Sequence, residues 1–138
     1  MIAPTINSYK RLVEGAWAPT TLTWGIDNRT VALRALPGNV KATRLETRVV
    51  GSDTNPYLAL SACLAAGLYG VKNKLSLDKE ATTGNGYKDI SNGILPGNLH
   101  EATLKMKTSP IAAELFGASF VEHFTLTDWE MKRYFEII

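Results

Sequence analysis

Arg44, Glu46 and Arg48 stand two residues apart. On an extended strand that spacing turns all three side chains to one face, so a carboxylate lies between two guanidiniums. Alone on a surface, such a row is a solvated face with ion pairs of little worth. Arg34 and Arg29 fall on the preceding strand and its turn. Four arginines meeting in one sheet repel one another unless an anion neutralises them, and the planar guanidinium fork grips phosphate or carboxylate oxygens in pairs. The residues predict a phosphate and carboxylate clamp, with Glu46 left to hold a divalent metal that bridges phosphate oxygens.

Three strands must carry these side chains. Residues 20–25 alternate β-branched or aromatic with other types, residues 30–36 put Val31, Leu33 and Ala35 on one side, and residues 43–50 alternate again. Asp27-Asn28 and Pro37-Gly38-Asn39 separate them as turns, so the spacing predicts an antiparallel meander with Leu45, Thr47 and Val49 facing the core. Asn55-Pro56 then starts a helix running to about Val71. Its apolar residues lie on every face, which predicts a buried core helix. Residues 76–96, with Gly84-Asn85-Gly86 and Ser91-Asn92-Gly93, read as a long exposed loop. Three short helices follow. Asn98-x-x-Glu101 and Thr127-x-x-Glu130 read as capping boxes, Ser109-Pro110 opens the middle helix and Gly117 ends it. The fold class expected is α+β, a small antiparallel β-sheet packed under the 55–71 helix, in one domain over residues 1–138.

Composition limits what such a fold can be. The 138 residues are 45% hydrophobic and 20% charged, enough apolar material for a core and far from the disordered or collagen-like classes. Cys63 is the single cysteine, which excludes a disulfide-stapled scaffold and favours a reducing compartment, the cytoplasm. The first residues have no apolar run of a secretory signal, and residues 56–71 are too short to span a bilayer, so no membrane role is expected. The net charge of +2 is unevenly spread. Residues 1–50 hold Lys10, Arg11, Arg29, Arg34, Lys41, Arg44 and Arg48 against Glu14, Asp27 and Glu46. A small anion suits that field, whereas few aromatics interleave the arginines and nucleic acid is not an expected partner.

The remaining candidates read as ordinary residues. His100 and His123 have no cysteine or carboxylate at zinc-ligand spacing, and Gly84-Asn85-Gly86 lacks the lysine of a phosphate-binding loop. Asn28-Arg29-Thr30 matches a glycosylation sequon by chance. Trp17, Trp24 and Trp129 are taken for packing residues.

Four segments together carry a family resemblance. Asn7-Ser-Tyr-Lys-Arg-Leu12, Asn28-Arg-Thr-Val-Ala-Leu-Arg34, Arg44-Leu-Glu-Thr-Arg48 and Asn55-Pro-Tyr-Leu-Ala-Leu60 resemble, in order and spacing, the C-terminal catalytic portion of glutamine synthetases. The likeness is good over about residues 4–75 and looser beyond, and residues 127–134 resemble the end of some members. It implies ATP-dependent activation of the γ-carboxylate of glutamate as an acyl phosphate, then attack by ammonia or a small amine. By motif position, Arg11, Arg29 and Arg48 resemble the arginines that hold glutamate and the transferring phosphoryl group, with Arg29 and Arg48 the catalytic pair. Arg34, Lys41 and Arg44 resemble those near the ATP phosphates, and Glu46 resembles a ligand of a Mg or Mn ion. The resemblance also implies a homo-oligomer.

Two departures shape the expectation. Where the family usually has Gly-x-Glu-Ala-Pro, this chain has Gly15-Ala-Trp17-Ala-Pro19, and Trp17 cannot accept a proton. That loop is closer to the branch joining glutamate to larger amines. Tyr87 lies near the position of a regulatory adenylylated tyrosine in some members, and reads as a plain loop tyrosine. The family's other metal ligands lie before this segment, so the chain is expected to be a fragment without ligase activity alone. The competing expectation is a non-catalytic anion-binding or interaction module, such as a regulatory pseudoenzyme.

Overall fold

The computed structural model describes residues 1–126, which divide into two compact units between Gly97 and Asn98. The capping motif at Thr127 and Trp129 lie outside the described residues, as does the 127–134 likeness.

The first unit is built on three strands, β1 (Trp24–Ile26), β2 (Leu33–Leu36) and β3 (Arg44–Thr47), in the order β1-β2-β3. β2 and β3 form the expected antiparallel pair, with Arg34 opposite Glu46 and Leu36 opposite Arg44. β1 and β2 run parallel instead, with Trp24 beside Leu33 and Ile26 beside Ala35, so the sheet is mixed and the antiparallel meander is corrected. Parallel neighbours usually need a crossover of a dozen or more residues. Here β1 is three residues, about 10 Å long, and residues 27–32 suffice to bring the chain back to its start. Asp27 makes the reversal at a φ of 48°. Asn28 then ties it down, accepting from the Thr30 backbone N–H at 2.9 Å and donating to the carbonyls of Thr82 and Gly84.

Those last bonds belong to the 76–96 segment, expected to be exposed. Much of it is instead stitched to the strands. The Thr82 N–H donates to the Trp24 carbonyl (2.8 Å), the Gly86 N–H to Thr30 Oγ1 (2.7 Å), and Thr21 Oγ1 to the Gly86 carbonyl (2.7 Å). Thr82 and Gly86 are buried as a result. The Tyr87 hydroxyl is also buried, and it has no hydrogen-bond partner among the described residues. At the other end, Thr5 and Ser8 cap the short 3-10 helix Ile6–Lys10 and both donate to Asp53, at 2.5 and 2.7 Å, which pins the first residues beside the helix that follows the sheet.

That helix is α1 (Pro56–Lys72), started as expected by Asn55, whose side chain accepts from the N–H groups of Tyr57 and Leu58. Only Ala59 of α1 is buried. Tyr57, Leu60, Leu64, Leu68 and Val71 are exposed, so α1 is not the core helix its composition predicted. Burial depends on what stands opposite a residue, and the short sheet covers only one side of α1. Leu45 is likewise exposed, lining an open groove with Thr47, Leu60 and Cys63. The core of the unit is correspondingly small, with Ala18, Val31, Ala32, Val49 and Ala59 buried.

The second unit contains α2 (Leu99–Lys107), α3 (Pro110–Phe116) and helical residues 118–126. Asn98 accepts from the Glu101 N–H at 2.9 Å, and Ser109 caps α3 with Pro110 at its first turn. Phe120 packs tilted at 44° against Phe116 (5.8 Å between ring centroids) and stacks on Phe124 (5.6 Å). The α+β class holds.

Candidate functional site

The sheet face around Glu46 concentrates the chain's charge. The β2–β3 register sets Arg34 across from Glu46, and Arg34 Nη1 donates to Glu46 Oε2 at 2.8 Å. Just past the end of β3, Arg48 approaches the other oxygen, with Nε 3.5 Å from Oε1. The carboxylate thus lies between two guanidiniums, but they are those of Arg34 and Arg48, not Arg44 and Arg48. The Arg34 hydrogen bond, helped by the charges of Arg34, Arg48 and Arg29, holds the Glu46 carboxyl below the usual carboxylate range against its own desolvation.

Arg34 is only 8% exposed and has a second carboxylate partner, Asp27, bonded to Nη2. These two partners push its guanidinium further above its ordinary value. Its Nε is buried without a partner among the described residues. Asp27 reads in the sequence only as a turn residue. Its pairing needs the left-handed reversal that returns β2 beside β1, and no periodicity signals that.

Arg48 is nearly buried and holds three carbonyls. It donates from Nη2 to Trp17 (2.9 Å) and from Nη1 to Arg29 and to Val31 (3.4 Å). Arg48 therefore fixes the loop that carries Trp17, a residue 68% exposed at a φ of 56° and not the packing residue expected. Arg11 performs a similar task at the end of β3, donating to the carbonyls of Val49 (2.6 Å) and Val50 (2.9 Å). Arg29 is exposed and close enough to lower the Glu46 carboxyl. Lys41 and Arg44 are exposed at the β2–β3 turn, where Arg44 Nη1 donates to the Ala42 carbonyl at 3.0 Å. The structure brings Arg29, Arg34, Glu46 and Arg48 together and leaves Lys41 and Arg44 at the turn.

Beside Arg34 opens a cavity of about 730 Å³, walled by Asp27, Asn28, Arg29 and residues 81–84. That is the size of a small-molecule site. A divalent metal fits less well. No group of three His, Cys, Asp or Glu side chains capable of holding an ion occurs among the described residues, and both Glu46 oxygens face arginines. The chain's described residues do not form a metal centre of their own.

The sequence profile described as glutamine synthetase, catalytic domain, matches residues 1–137. The chain is 53% identical to type-1 glutamine synthetase 2 of Dictyostelium discoideum, covering 99% of this chain and 29% of that protein. It is 40% identical to the glutamate–isopropylamine ligase of a Pseudomonas species, covering 98% and 32%. Among solved structures, the one titled "GmaS/ADP complex-Conformation 1" superposes with a TM-score of 0.74 at 32% identity, covering 96% of this chain and 32% of that one. The chain spans about a third of the length of the curated relatives it matches.

Proposed function

The chain belongs to the glutamine synthetase catalytic-domain family, and from that membership we propose that it supplies the anion-binding sheet of an ATP-dependent ligase joining glutamate to an amine. The observation that carries the reading is Glu46 held between Arg34 and Arg48, with Arg29 beside them.

In that reaction the γ-phosphoryl group of ATP passes to the γ-carboxylate of glutamate. The amine nitrogen then attacks the acyl phosphate, the C–O bond to phosphate breaks, and an amide and phosphate leave. Charge develops on oxygen in both steps, so fixed guanidiniums are the groups that lower the barriers. Arg29 and Arg48 take that role, and with Arg11 they bind glutamate. Arg48 and Arg11 now donate to neutral carbonyls. An ionised oxygen is a stronger acceptor, so a bound carboxylate or phosphoryl group competes well for those donors. Lys41 and Arg44, exposed at the turn, grip the ATP phosphates. Arg34 belongs to the same phosphate-facing group, and its two carboxylate partners make it also the residue that orients Glu46. Glu46 would join the Mg or Mn that the family uses only by releasing an oxygen from Arg34 or Arg48, and the other ligands would come from outside the described residues.

Trp17 decides the acceptor in this reading. An exposed indole cannot take a proton from ammonium and can pack against the carbon chain of a larger amine. Of the relatives, one is named for isopropylamine and the more identical one is named a glutamine synthetase, so Trp17 alone carries this choice.

The test is a chimera. This chain replaces the matching third of the Dictyostelium protein, and ATP-dependent γ-glutamyl amide formation is measured with ammonium, isopropylamine, ethanolamine and putrescine. Amide formation with an alkylamine in preference to ammonium, and a loss of at least ~100-fold with Arg48→Ala, is expected. A folded, ATP-binding chimera that forms no γ-glutamyl product would overturn the assignment.

A further inference from the structure

Among the described residues, the fork of Arg34 is fixed by its two outer arms alone. Nη1 donates to Glu46 Oε2 at 2.8 Å, Nη2 is bonded to Asp27 Oδ1, and the buried Nε has no partner. The carboxylate on Nη2 is itself firmly held. The Asp27 backbone N–H donates to the Ala35 carbonyl of β2 at 2.9 Å, and its left-handed φ of 48° is one that Asp adopts more readily than most residues. Asn28, the next residue, is bonded to the Thr82 and Gly84 carbonyls.

We propose that Asp27 is a positioning residue of this site: by occupying Arg34 Nη2 it restricts Arg34 to a single arm on Glu46 and so reserves the second Glu46 oxygen for Arg48. A guanidinium facing one carboxylate favours gripping both oxygens with two parallel N–H groups. Arg34 lies across from Glu46 in the β2–β3 register, and its side chain is only 9% exposed, so water is a poor substitute for a lost partner. Without Asp27, the freed Nη2 turns to the carboxylate that remains and takes Glu46 Oε1. That oxygen stands 3.5 Å from Arg48 Nε, a longer contact than the 2.8 Å Arg34 bond, and is the more easily drawn away.

The consequence falls on Arg48. Its Nη groups hold the carbonyls of Arg29, Val31 and Trp17, and the Nε contact with Glu46 sets the remaining edge of the fork. Loss of that contact lets the guanidinium turn. A displacement of about 1 Å in a group that meets the transition state is enough to slow a reaction ~100-fold. This step rests on the ligase reading, in which Arg48 faces the developing charge, whereas the bond arrangement around Arg34 does not. Lys41 and Arg44 stand outside this row, exposed at the β2–β3 turn, so ATP affinity is left alone.

The experiment follows the arginine Nε–H groups of the whole chain by proton–nitrogen NMR, then turnover in the Dictyostelium chimera. Asp27→Gly removes the carboxylate and leaves the left-handed turn unstrained, while Asp27→Asn keeps an acceptor oxygen without the charge. In Asp27→Gly, with the far-ultraviolet circular dichroism unchanged, the Arg48 Nε–H resonance should move toward the position it takes in Glu46→Gln. In Asp27→Asn it should stay near its wild-type position. In the chimera, Asp27→Gly should lower kcat at least ~10-fold while KM for ATP changes by less than about twofold, and Asp27→Asn should recover most of the loss. An Arg48 resonance unmoved by Asp27→Gly, a chimera whose kcat ignores that change, or equal losses with Asp27→Gly and Asp27→Asn would each overturn the proposal. If the wild-type chimera forms no product, the ligase reading falls instead, and the Arg48 resonance in the chain alone decides for or against Asp27.

Discussion

Glu46 shows how one side chain ties the site to the stability of the fold. Its carboxyl is held low by the Arg34 bond and by the charges of Arg34, Arg48 and Arg29. Asp53 is held low by Thr5 and Ser8, and Asp89 by Ser91 and Thr82. A carboxyl whose folded pKa lies below its unfolded value stabilises the fold in full above the ordinary carboxylate range, near 4. That contribution is lost as the pH falls through the lowered folded value. The urea midpoint should therefore be level near neutrality and fall below about pH 4. In Glu46→Gln the fall should be shallower, since one of the three titrating groups is gone. Identical acid limbs for the two proteins would show that the Arg34 bond does not favour the charged form. Arg48 yields a separate expectation, because it holds the Trp17 carbonyl. Arg48→Lys keeps the charge and loses the fork, so iodide quenching of Trp17, read in a Trp24→Phe, Trp129→Phe background, should rise and the melting temperature should fall. Unchanged quenching would mean that the loop stands without the latch.

At the level of elements, the helix start and the β2–β3 pair were legible because each rests on local chemistry. Asn55 followed by Pro56 is a cap followed by a first turn, and the alternation on both sides of Pro37-Gly38-Asn39 sets Arg34 across from Glu46. Replacing the cap, Asn55→Ala, should cost about 1 kcal/mol in urea unfolding. The direction of β1 was not legible, because Asp27-Asn28 signals a reversal and does not say how far back the chain travels. The same gap hid Asp27 as a partner of Arg34. Nor could composition tell that α1 is exposed, since its apolar residues would look identical against a larger sheet. The 76–96 segment misled for a related reason. Its glycines suggest freedom, yet a Cβ on Gly86 would lie 2.8 Å from the Thr30 carbonyl oxygen and 2.9 Å from Thr30 Oγ1. The glycine is there for close backbone approach. Gly86→Ala should force Thr30 away and destabilise by about 2 kcal/mol, whereas Gly84→Ser, with open space around its Cβ and strain only from a φ of 85°, should cost less. Equal costs at the two positions would remove the stitching argument.

Over the whole molecule, the distribution of charge matters more than its sum. Seven of the fifteen basic residues stand in the first 50 positions, and the described residues supply no cluster of acidic, histidine or cysteine side chains able to hold a metal ion. The chain is thus equipped to bind an anion and not to neutralise one with a cation of its own. Binding and turnover should separate. The purified chain should bind ATP weakly through Lys41 and Arg44, with an affinity that falls as salt screens these exposed charges. The Lys41→Ala, Arg44→Ala double variant should lose most of that affinity. With glutamate, ATP, magnesium and an amine together, the same preparation should release no phosphate above the blank, because the one carboxylate on the sheet already faces two arginines. Amine-dependent phosphate release by the chain alone would mean that Glu46 leaves Arg34 and Arg48 to join ligands that its described neighbours do not provide, and the division between binding sheet and metal-bearing remainder would have to be abandoned.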